Sequence, residues 1–322
     1  MILGSRIQPD SPVSLSPLVS IVVPAFNEGL ALADSLKALL SFLAQAQDFR
    51  DYEVLVVDDG SVDETYDVAV QSGATLDNLR VVRHITNRGL GAAIRTGFAF
   101  ARGSIVVTYD SDMSYRPEII PELLAELENK GADLVLASPY MRGGSVRNVP
   151  WVRRLLSREA NRFLSFATNG RYATVTCMVR AYRMDFFRRI ETHEERMEIN
   201  PELFFKAAKS GAVICEIPAR LEWRRERARA RAGINVSRTL KQIGRTLRYG
   251  VTYRPAVLLA LPGILPGVLP LVVAVALLMH LNLKTVATVA LITMIIQNSS
   301  LALFAGQLGV FARNVSRRAR AR

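Results

Sequence analysis

The sequence is poor in the residues that build disulfide frameworks and zinc centres. Only two of its 322 residues are cysteine, Cys177 and Cys215, and only three are histidine. The two cysteines are far apart, and the histidines do not form the His-Glu-x-x-His pattern of zinc enzymes. The sequence therefore indicates neither a structural disulfide nor a zinc site.

Acidic residues are also scarce. The 41 lysines and arginines outnumber the 29 aspartates and glutamates, which gives a formal net charge of +12. No signature of a DNA- or RNA-binding domain accompanies this excess, and much of it flanks apolar segments near the C-terminus, where anionic lipids would attract it. We therefore predict that a lipid bilayer, and no nucleic acid, is the partner of these basic residues.

Charged residues are absent from two long stretches, residues 256–279 and 285–312. Each stretch is long enough to cross about 30 Å of hydrocarbon as a helix. We predict transmembrane helices at residues 255–281 and 285–311, joined as a hairpin; two buried core helices are the alternative. Arginines precede the first stretch and follow the second, in a basic tail at residues 312–322. The positive-inside rule then predicts a multi-pass protein of the cytoplasmic (inner) membrane, with its catalytic domain and both termini on the cytoplasmic side.

The segment that precedes the apolar stretches has the pattern of an amphipathic helix. Apolar residues recur at spacings of three and four within residues 236–254, while arginine and lysine occupy the other faces. This pattern is typical of a helix in the headgroup layer of a membrane, and a helix packed on the protein's own core is the alternative. At the other end of the sequence, residues 1–17 lack the apolar core of a signal peptide and are predicted to be a flexible tail.

Residues 18–235 alternate short apolar runs with amphipathic segments. The apolar runs predict strands at residues 20–24, 52–57, 79–83, 104–109 and 133–137, with helices between them. Such alternation predicts an α/β domain in which a mostly parallel sheet has helices on both faces. Ligands of such sheets bind at the carboxyl ends of the strands.

Acidic residues follow three of the predicted strands, in the segments Pro24-Ala-Phe-Asn-Glu28, Asp58-Asp59-Gly60-Ser61-Val62-Asp63 and Asp110-Ser111-Asp112. Carboxylates at positions i and i+2 of an extended segment share a face, and magnesium is commonly held by one or two protein carboxylates together with substrate phosphates. Asp110 and Asp112 are therefore candidate ligands for Mg²⁺ or Mn²⁺. A solvated or helix-capping turn is the alternative for each acidic segment.

Four segments in this order resemble the family 2 glycosyltransferases, namely Val22-Val-Pro-Ala-Phe-Asn-Glu28, Val56-Val-Asp-Asp-Gly-Ser-Val-Asp-Glu-Thr65, Asn87-Arg-Gly-Leu-Gly-Ala92 and Asp110-Ser-Asp112. The resemblance extends to the dolichyl-phosphate mannose synthases and bacterial polyprenyl-phosphate hexose synthases through Ser138-Pro-Tyr-Met-Arg-Gly-Gly144, Arg153-Arg-Leu-Leu-Ser-Arg-Glu-Ala-Asn161 and Arg180-Ala-Tyr182. It implies the nucleotide-sugar fold called GT-A. It also implies metal-dependent, inverting transfer of one hexose from a nucleotide-diphosphate sugar to a polyprenyl phosphate.

The resemblance assigns roles to individual residues. It implies that the nucleotide base and ribose are surrounded by Pro24, Phe26, Glu28, Val57 and Asp59. The donor diphosphate would meet Ser111 and the two catalytic and metal-binding carboxylates, Asp110 and Asp112. The acceptor phosphate would be bound by Arg153, Arg154 and Arg158, whose alternative is a solvated basic helix face.

Three positions depart from the commonest family pattern. Ser114 stands where glutamine is frequent, Pro139 replaces an arginine, and Thr174 replaces the aspartate of an Asp-x-Thr-Ser-Gly-Phe-Arg motif. These departures leave two alternatives open: a catalytically inactive, membrane-anchored sugar-nucleotide-binding or scaffold protein, and a family 2 transferase that uses a different acceptor. The resemblance is also compatible with a homo-oligomer.

Two other enzyme classes are disfavoured. A processive polysaccharide synthase would carry a Gln-x-x-Arg-Trp element, which the sequence lacks. A nicotinamide-dependent enzyme is suggested by Gly89-Leu-Gly91, but that run lacks the third glycine at the required spacing and does not follow the first predicted strand.

Overall fold

The computed structural model describes residues 18–46, 51–74, 76–223 and 236–253, together with 287–288 and 291. The chain divides into two units, Met1–Tyr249 and Gly250–Arg322. Apart from those three last positions, the predicted membrane-spanning segments and both predicted tails lie outside the described residues. Among the helices that are described, none is both long enough and apolar enough to cross a bilayer.

The described strands, in chain order, are β1 (Val19–Ala25), β2 (Tyr52–Asp58), β3 (Leu79–Arg83), β4 (Ile105–Thr108), β5 (Leu134–Ser138), β6 (Ser145–Arg147), β7 (Arg180–Arg183), β8 (Ile214–Pro218) and β9 (Arg220–Glu222). The described helices are α1 (Gly29–Gln45), α2 (Thr65–Gly73), α3 (Leu90–Phe100), α4 (Ile119–Asn129), α5 (Trp151–Ala167), α6 (Met184–Phe187), α7 (Ile199–Lys209) and α8 (Val236–Tyr253). All five predicted strands are present, and α8 covers the segment predicted as an amphipathic helix.

Seven strands form one sheet in the order β3-β2-β1-β4-β7-β5-β8. Strand β7 is antiparallel to both of its neighbours, whereas the other pairings in the sheet are parallel. The prediction of a mostly parallel sheet is therefore confirmed. Strands β6 and β9 pair separately as a small parallel ribbon.

The core forms where the apolar faces of the helices meet the sheet. In α1, leucines spaced by three and four residues are buried, namely Leu32, Leu36, Leu39 and Leu43. In α4, Ile120, Leu123 and Leu127 are buried in the same cluster. Helix α4 is followed by Gly131, which takes the left-handed conformation (φ +58°), and the Ala132 amide donates to the Leu127 carbonyl at 2.9 Å.

The sheet register brings the predicted site segments to one edge. Ala25 of β1 lies opposite Asp58 of β2, and Val22 lies opposite Thr108 of β4. Because these three strands are parallel, the segments that follow them leave the sheet at the same end.

Candidate active site

The segments after β1 and β2 are joined by hydrogen bonds into one surface. The Asn27 amide donates to Ser61 Oγ at 2.9 Å, and the Val62 amide donates to Asn27 Oδ1 at 3.0 Å. Thr65 Oγ1 accepts from the amides of Glu28 and Gly29, both at 2.8 Å. These reciprocal bonds fix the two segments relative to each other before any ligand binds.

The predicted nucleotide-binding residues occupy different depths at this edge. Phe26 is 41% exposed and Glu28 is half-buried, so both side chains are accessible from the surface. Pro24 and Val57 are buried within their strands. A ligand at this edge would meet the phenyl ring of Phe26, whereas the two strand residues support the surface from below.

Asp59 is buried, and its carboxylate organises the next segment. Its Oδ1 lies 2.7 Å from His84 Nδ1 and accepts from the Arg88 amide at 2.9 Å, while Oδ2 accepts from the Gly89 amide at 2.7 Å. The second ring nitrogen of His84 lies 2.9 Å from Thr96 Oγ1 on α3. Asp59 therefore holds the start of α3 in place beside the predicted nucleotide site.

The glycines of this segment are required by a close approach of another chain segment. A Cβ atom at Gly89 would lie 2.3 Å from the Glu195 carbonyl oxygen, and one at Gly91 would lie 2.1 Å from that of Glu194. The Gly91 amide donates to the Glu195 carbonyl at 2.7 Å. Backbone packing thus explains the Gly-x-Gly run without a dinucleotide.

The two predicted catalytic carboxylates lie just after β4. Asp110 is half-buried, whereas Asp112 is only 9% exposed and its Oδ1 accepts from the Ser114 amide at 2.9 Å. Met113, between them and Ser114, has a left-handed backbone (φ +55°), which is uncommon for a residue with a long side chain. In this tight turn the Asp112 carboxylate points back to the backbone of the residues that follow it.

This donor set fits a divalent cation that arrives with a diphosphate. Hard cations such as Mg²⁺ take oxygen ligands, commonly one or two carboxylates plus substrate phosphates. Within the described ranges no group of three histidine, cysteine, aspartate or glutamate side chains is arranged to hold a metal by itself. Asp110 and Asp112 would therefore supply part of a coordination shell that the substrate completes.

A pocket of about 330 Å³ lies beside Asp110. Its apolar walls come from distant segments and include Val149, Leu156, Met178, Met197, Leu221 and Trp223. Its polar lining includes Asp110, Tyr140, Arg153, Ser157, Thr174 and Thr176. The pocket thus places a carboxylate, an arginine and an apolar surface within one concavity.

Arg153 is the predicted phosphate-binding residue that lines this pocket. Its guanidinium carbon lies 5.7 Å from the ring centroid of Trp223. Its Nε atom is buried and makes no hydrogen bond to any residue in the described part of the chain. A buried donor without a partner is costly, so this nitrogen is suited to an anionic ligand.

The other two predicted arginines are more peripheral. Arg154 and Arg158 are exposed on α5, yet both act electrostatically on Tyr140, which lines the pocket. Burial raises the pKa of Tyr140, although its hydrogen bond to Ser157 and these two positive charges act in the opposite direction. The structure therefore brings the three arginines to one region but places only Arg153 within the pocket wall.

The segment around Thr174 is held by buried polar contacts. Thr174 Oγ1 lies 2.7 Å from Ser138 Oγ, and Glu216 accepts from the amides of Ala173 and Thr174 at 2.7 Å. Burial raises the pKa of Glu216, with the two backbone donors acting against this effect. Pro139 follows Ser138 and also lines the pocket. Two of the three departures from the family pattern, Pro139 and Thr174, are thus neighbours in one wall.

Asn161 fixes the same segment from helix α5. Its Oδ1 accepts from the amides of Val175 and Thr176 at 2.8 and 3.1 Å, and its Nδ2 donates to Thr176 Oγ1 at 2.9 Å.

Cys177 follows Thr176 in the chain and is buried. Burial raises the pKa of its thiol, which the charge of Arg180 only partly offsets. Cys177 therefore lines the pocket as a neutral thiol.

The sequence did not point to several pocket residues. Tyr140, Met197, Trp223 and Thr246 come from four separate segments, and none belongs to a recognisable catalytic pattern. Tyr140 lies within the Ser138–Gly144 resemblance, which was the one available signal.

Residues 20–191 match the family described as Glycosyl transferase family 2. The chain is 31% identical over 218 residues to a polyprenol monophosphomannose synthase from Mycolicibacterium smegmatis, an alignment that covers 65% of this chain and 80% of the relative. It is 35% identical over 142 residues to a dolichol-phosphate mannosyltransferase from Pyrococcus furiosus, which covers 44% of this chain and 39% of that relative. The second relative is thus matched over less than half of its own length.

Among solved structures, the chain is similar to glucosyl-3-phosphoglycerate synthase from Mycobacterium tuberculosis, crystallised with Mn²⁺, uridine diphosphate and phosphoglyceric acid. The TM-score is 0.56 at 20% sequence identity, with 74% of this chain and 78% of that chain covered. This likeness confirms the predicted α/β fold of the GT-A kind.

Proposed function

The chain belongs to glycosyl transferase family 2 and is a glycosyltransferase, and from that premise we propose that it transfers one hexose from a nucleotide-diphosphate sugar to a polyprenyl phosphate, with inversion at the anomeric carbon. The pocket beside Asp110 carries the proposal, because it combines apolar walls with an arginine whose buried Nε has no partner among the described residues. A lipid phosphate has matching chemistry, since its phosphate is anionic and its first isoprenoid carbons are apolar.

On the donor side, the paired segments after β1 and β2 would receive the nucleotide, with Phe26 against the base or ribose. Asp59 would act from below by fixing the segment from His84 to Gly89. Asp110 and Asp112 would hold Mg²⁺ or Mn²⁺ with the diphosphate, and Ser111 lies between them. Such a cation neutralises the charge that develops on a leaving diphosphate.

On the acceptor side, the reaction requires a positively charged binding site for the phosphate more than a strong general base. A monoester phosphate has a second pKa near 6, so it is largely dianionic at neutral pH and is already a nucleophile. Arg153 would bind its oxygens within the pocket, while Arg154 and Arg158 lower the repulsion between two anionic substrates. The in-line attack would come from the side of the pocket, next to Asp110.

We place the reaction at the cytoplasmic face of the inner membrane. The support is the charge pattern of the sequence: apolar stretches at residues 256–279 and 285–312 with arginines on both flanks. Helix α8 would then lie in the headgroup layer, and residues 255–281 and 285–311 would form the hairpin. The product would be a lipid-linked sugar available for cell-envelope or glycan assembly.

The test is an assay of the full-length chain in detergent with polyprenyl phosphate, Mg²⁺ or Mn²⁺, and a panel of uridine- and guanosine-diphosphate sugars. Mass spectrometry should find one glycolipid heavier than the acceptor by a single hexose residue, and a chelator should remove it. A polymer, or a product that forms equally well with chelator, would contradict the proposal.

Two other outcomes correspond to the alternatives that the sequence left open. Transfer to a water-soluble phosphorylated acceptor, with none to polyprenyl phosphate, would identify a family 2 transferase with a different acceptor. Nucleotide-sugar binding without any transfer would identify an inactive binding protein. The second outcome would direct attention to Ser114, Pro139 and Thr174.

A further inference from the structure

Helix α5 has two opposite faces with different environments. On one face, Arg153, Leu156, Ser157 and Ala160 line the pocket beside Asp110. The opposite face carries three large apolar side chains that are exposed: Trp151 at 70%, Leu155 at 49% and Phe166 at 52%. An exposed tryptophan one turn from an exposed leucine is unusual on a helix face that meets only water.

Arginines interleave with these apolar side chains. Arg154, Arg158 and Arg162 are all exposed on α5. Glu159 is the one acidic residue of the helix, and its carboxylate lies 3.8 Å from the Arg162 guanidinium. Both side chains of that pair are more than half exposed, so the pair is screened and leaves the face strongly positive. We refer to Trp151, Arg154, Leu155, Arg158, Arg162 and Phe166 as the Trp151 face.

We propose that the Trp151 face binds the surface of an anionic lipid bilayer. Tryptophan favours the boundary between headgroups and acyl chains, where its ring is buried and its N–H stays hydrated. Arginines beside it are attracted by anionic headgroups. A helix with such a face lies in the plane of the interface, with its apolar side chains inserted and its basic ones at headgroup level.

The charge of the face distinguishes a bilayer from a second copy of the chain. Two copies that met through the same face would oppose arginines with arginines, which is unfavourable for a symmetric contact. Anionic headgroups instead supply the complementary charge together with an apolar interior. The proposal rests on the proposed function in one respect: a lipid acceptor in the pocket requires its opening to be close to a membrane, and the Trp151 face is on the pocket-lining helix.

The sequence offers a direct spectroscopic test, because the chain has only two tryptophans, Trp151 and Trp223. We would reconstitute the full-length Trp223→Phe variant into vesicles of phosphatidylcholine, with or without phosphatidylglycerol, and record the emission of Trp151. We expect the emission maximum of Trp151 to be blue-shifted from that of an indole exposed to water. We also expect its intensity to fall when brominated lipids are included. Both effects should be larger in the anionic vesicles.

Two matched measurements accompany this reporter. The Trp151→Phe variant leaves Trp223 as the only tryptophan, and subtraction of its spectrum from that of the unmodified chain isolates Trp151 with the pocket tryptophan intact. Replacement of Arg158 and Arg162 by glutamate in the Trp151 reporter should remove its preference for anionic vesicles. This pair tests the charge contribution separately from the apolar one.

The proposal is overturned if Trp151 emits as a water-exposed indole in vesicles and is insensitive to brominated lipids. It is also overturned if Trp151 is shielded, but only as the protein-to-lipid ratio rises and without bromolipid quenching, because a protein contact would then cover the face. Glycolipid synthesis is measured with the unmodified chain in vesicles of the same composition, because Trp223, which the reporter lacks, lines the pocket. Quenching without synthesis supports the membrane contact while contradicting the proposed function, and synthesis without quenching does the reverse.

Discussion

Asp112 is a buried carboxylate whose orientation is fixed by its own turn. Its carboxylate is held by the Ser114 amide at 2.9 Å, in a turn that requires a left-handed Met113. Replacement by asparagine keeps the size and one oxygen acceptor but removes the negative charge. Any effect of Asp112→Asn therefore reports on charge more than on packing.

We expect Asp112→Asn to lower the transfer rate by roughly a hundredfold or more, since metal stabilisation of a leaving group contributes several kcal/mol. The rate would be measured with the donor that gives the glycolipid product. Asp185→Asn, an exposed aspartate on α6, is the matched control and should retain activity. Full activity of Asp112→Asn would refute the metal assignment.

Arg153 differs from the other basic residues of α5 because its Nε is buried and unpaired within the described residues. Hydrogen bonds to charged groups contribute about 1.5–3 kcal/mol, so Arg153→Ala should raise the acceptor KM by roughly tenfold to a hundredfold. The donor KM should change little. Arg153→Lys should recover only part of the loss, because an ammonium cannot bind phosphate through a planar fork.

The control for this prediction is Arg189→Ala, which removes an exposed arginine outside the pocket lining. It lowers the net charge by the same amount and should leave both KM values unchanged. An equal rise in acceptor KM for the two variants would show that bulk charge, rather than the pocket, determines acceptor binding.

At the scale of elements, helix α8 is connected to the candidate nucleotide site through one segment. Arg248 and Tyr249 of α8 both donate to Glu194 Oε1, at 2.7 and 2.6 Å, and Arg245 donates to the buried Glu198 at 2.7 Å. The backbone of this segment packs on Gly91, whose amide donates to Glu195. A change in the position of α8 is therefore expected to alter the start of α3.

We expect Glu194→Gln to raise the donor KM by about fivefold, because a partly exposed ion pair contributes on the order of 1 kcal/mol. The acceptor KM of a short, water-soluble phosphate should be unaffected. Glu195→Gln is the matched control, because the Glu195 side chain is exposed. The substitution leaves the Glu195 carbonyl, which accepts from the Gly91 amide, unchanged. Equal donor KM values for the two variants would exclude positioning by α8.

Sequence periodicity predicted the elements whose apolar residues repeat regularly, but it missed strand β7, which polar contacts hold in place. The leucines of α1 and the valines of β1 and β2 made those elements evident. Strand β7 is different, because Arg180 at its start is fully buried and donates to the carbonyls of Val175, Cys177 and Asn200 at 2.6 to 2.9 Å. A four-residue strand with an arginine at each end has no apolar alternation from which it could be predicted.

At the scale of the whole molecule, one part of the candidate site was predictable from the sequence and another part was not. The parallel order of β1, β2 and β4 follows from the alternating pattern, so the convergence of their acidic ends was predictable. The pocket was not, because Arg153, Thr174, Met197 and Trp223 are brought together only by tertiary packing. Asp59 is intermediate: its location was predicted, but its bonds to His84, Arg88 and Gly89 depend on a segment about thirty residues away along the chain.

The topology of the whole chain is the remaining prediction, and it rests on the charge pattern alone. If residues 255–281 and 285–311 span the inner membrane as a hairpin, the connector around Asn282 faces the periplasm and the arginine-rich tail faces the cytoplasm. The tail carries Arg313, Arg317, Arg318, Arg320 and Arg322, whereas the connector has Lys284 as its only lysine or arginine. This asymmetry favours one orientation of the hairpin.

We expect a cysteine placed at Asn282 to react with a membrane-impermeant maleimide in intact spheroplasts, and one placed at Ser316 to react only after the membrane is permeabilised. Both substitutions are made in a chain with Cys215 changed to serine, since that thiol is partly exposed, whereas Cys177 is buried. A permeant maleimide applied in parallel shows that each site is reactive.

Labelling of both sites from the outside would place the tail in the periplasm. Labelling of neither, with both reactive after permeabilisation, would mean that the two apolar stretches do not form a spanning hairpin, and helix α8 with the Trp151 face would then have to hold the catalytic domain at the membrane.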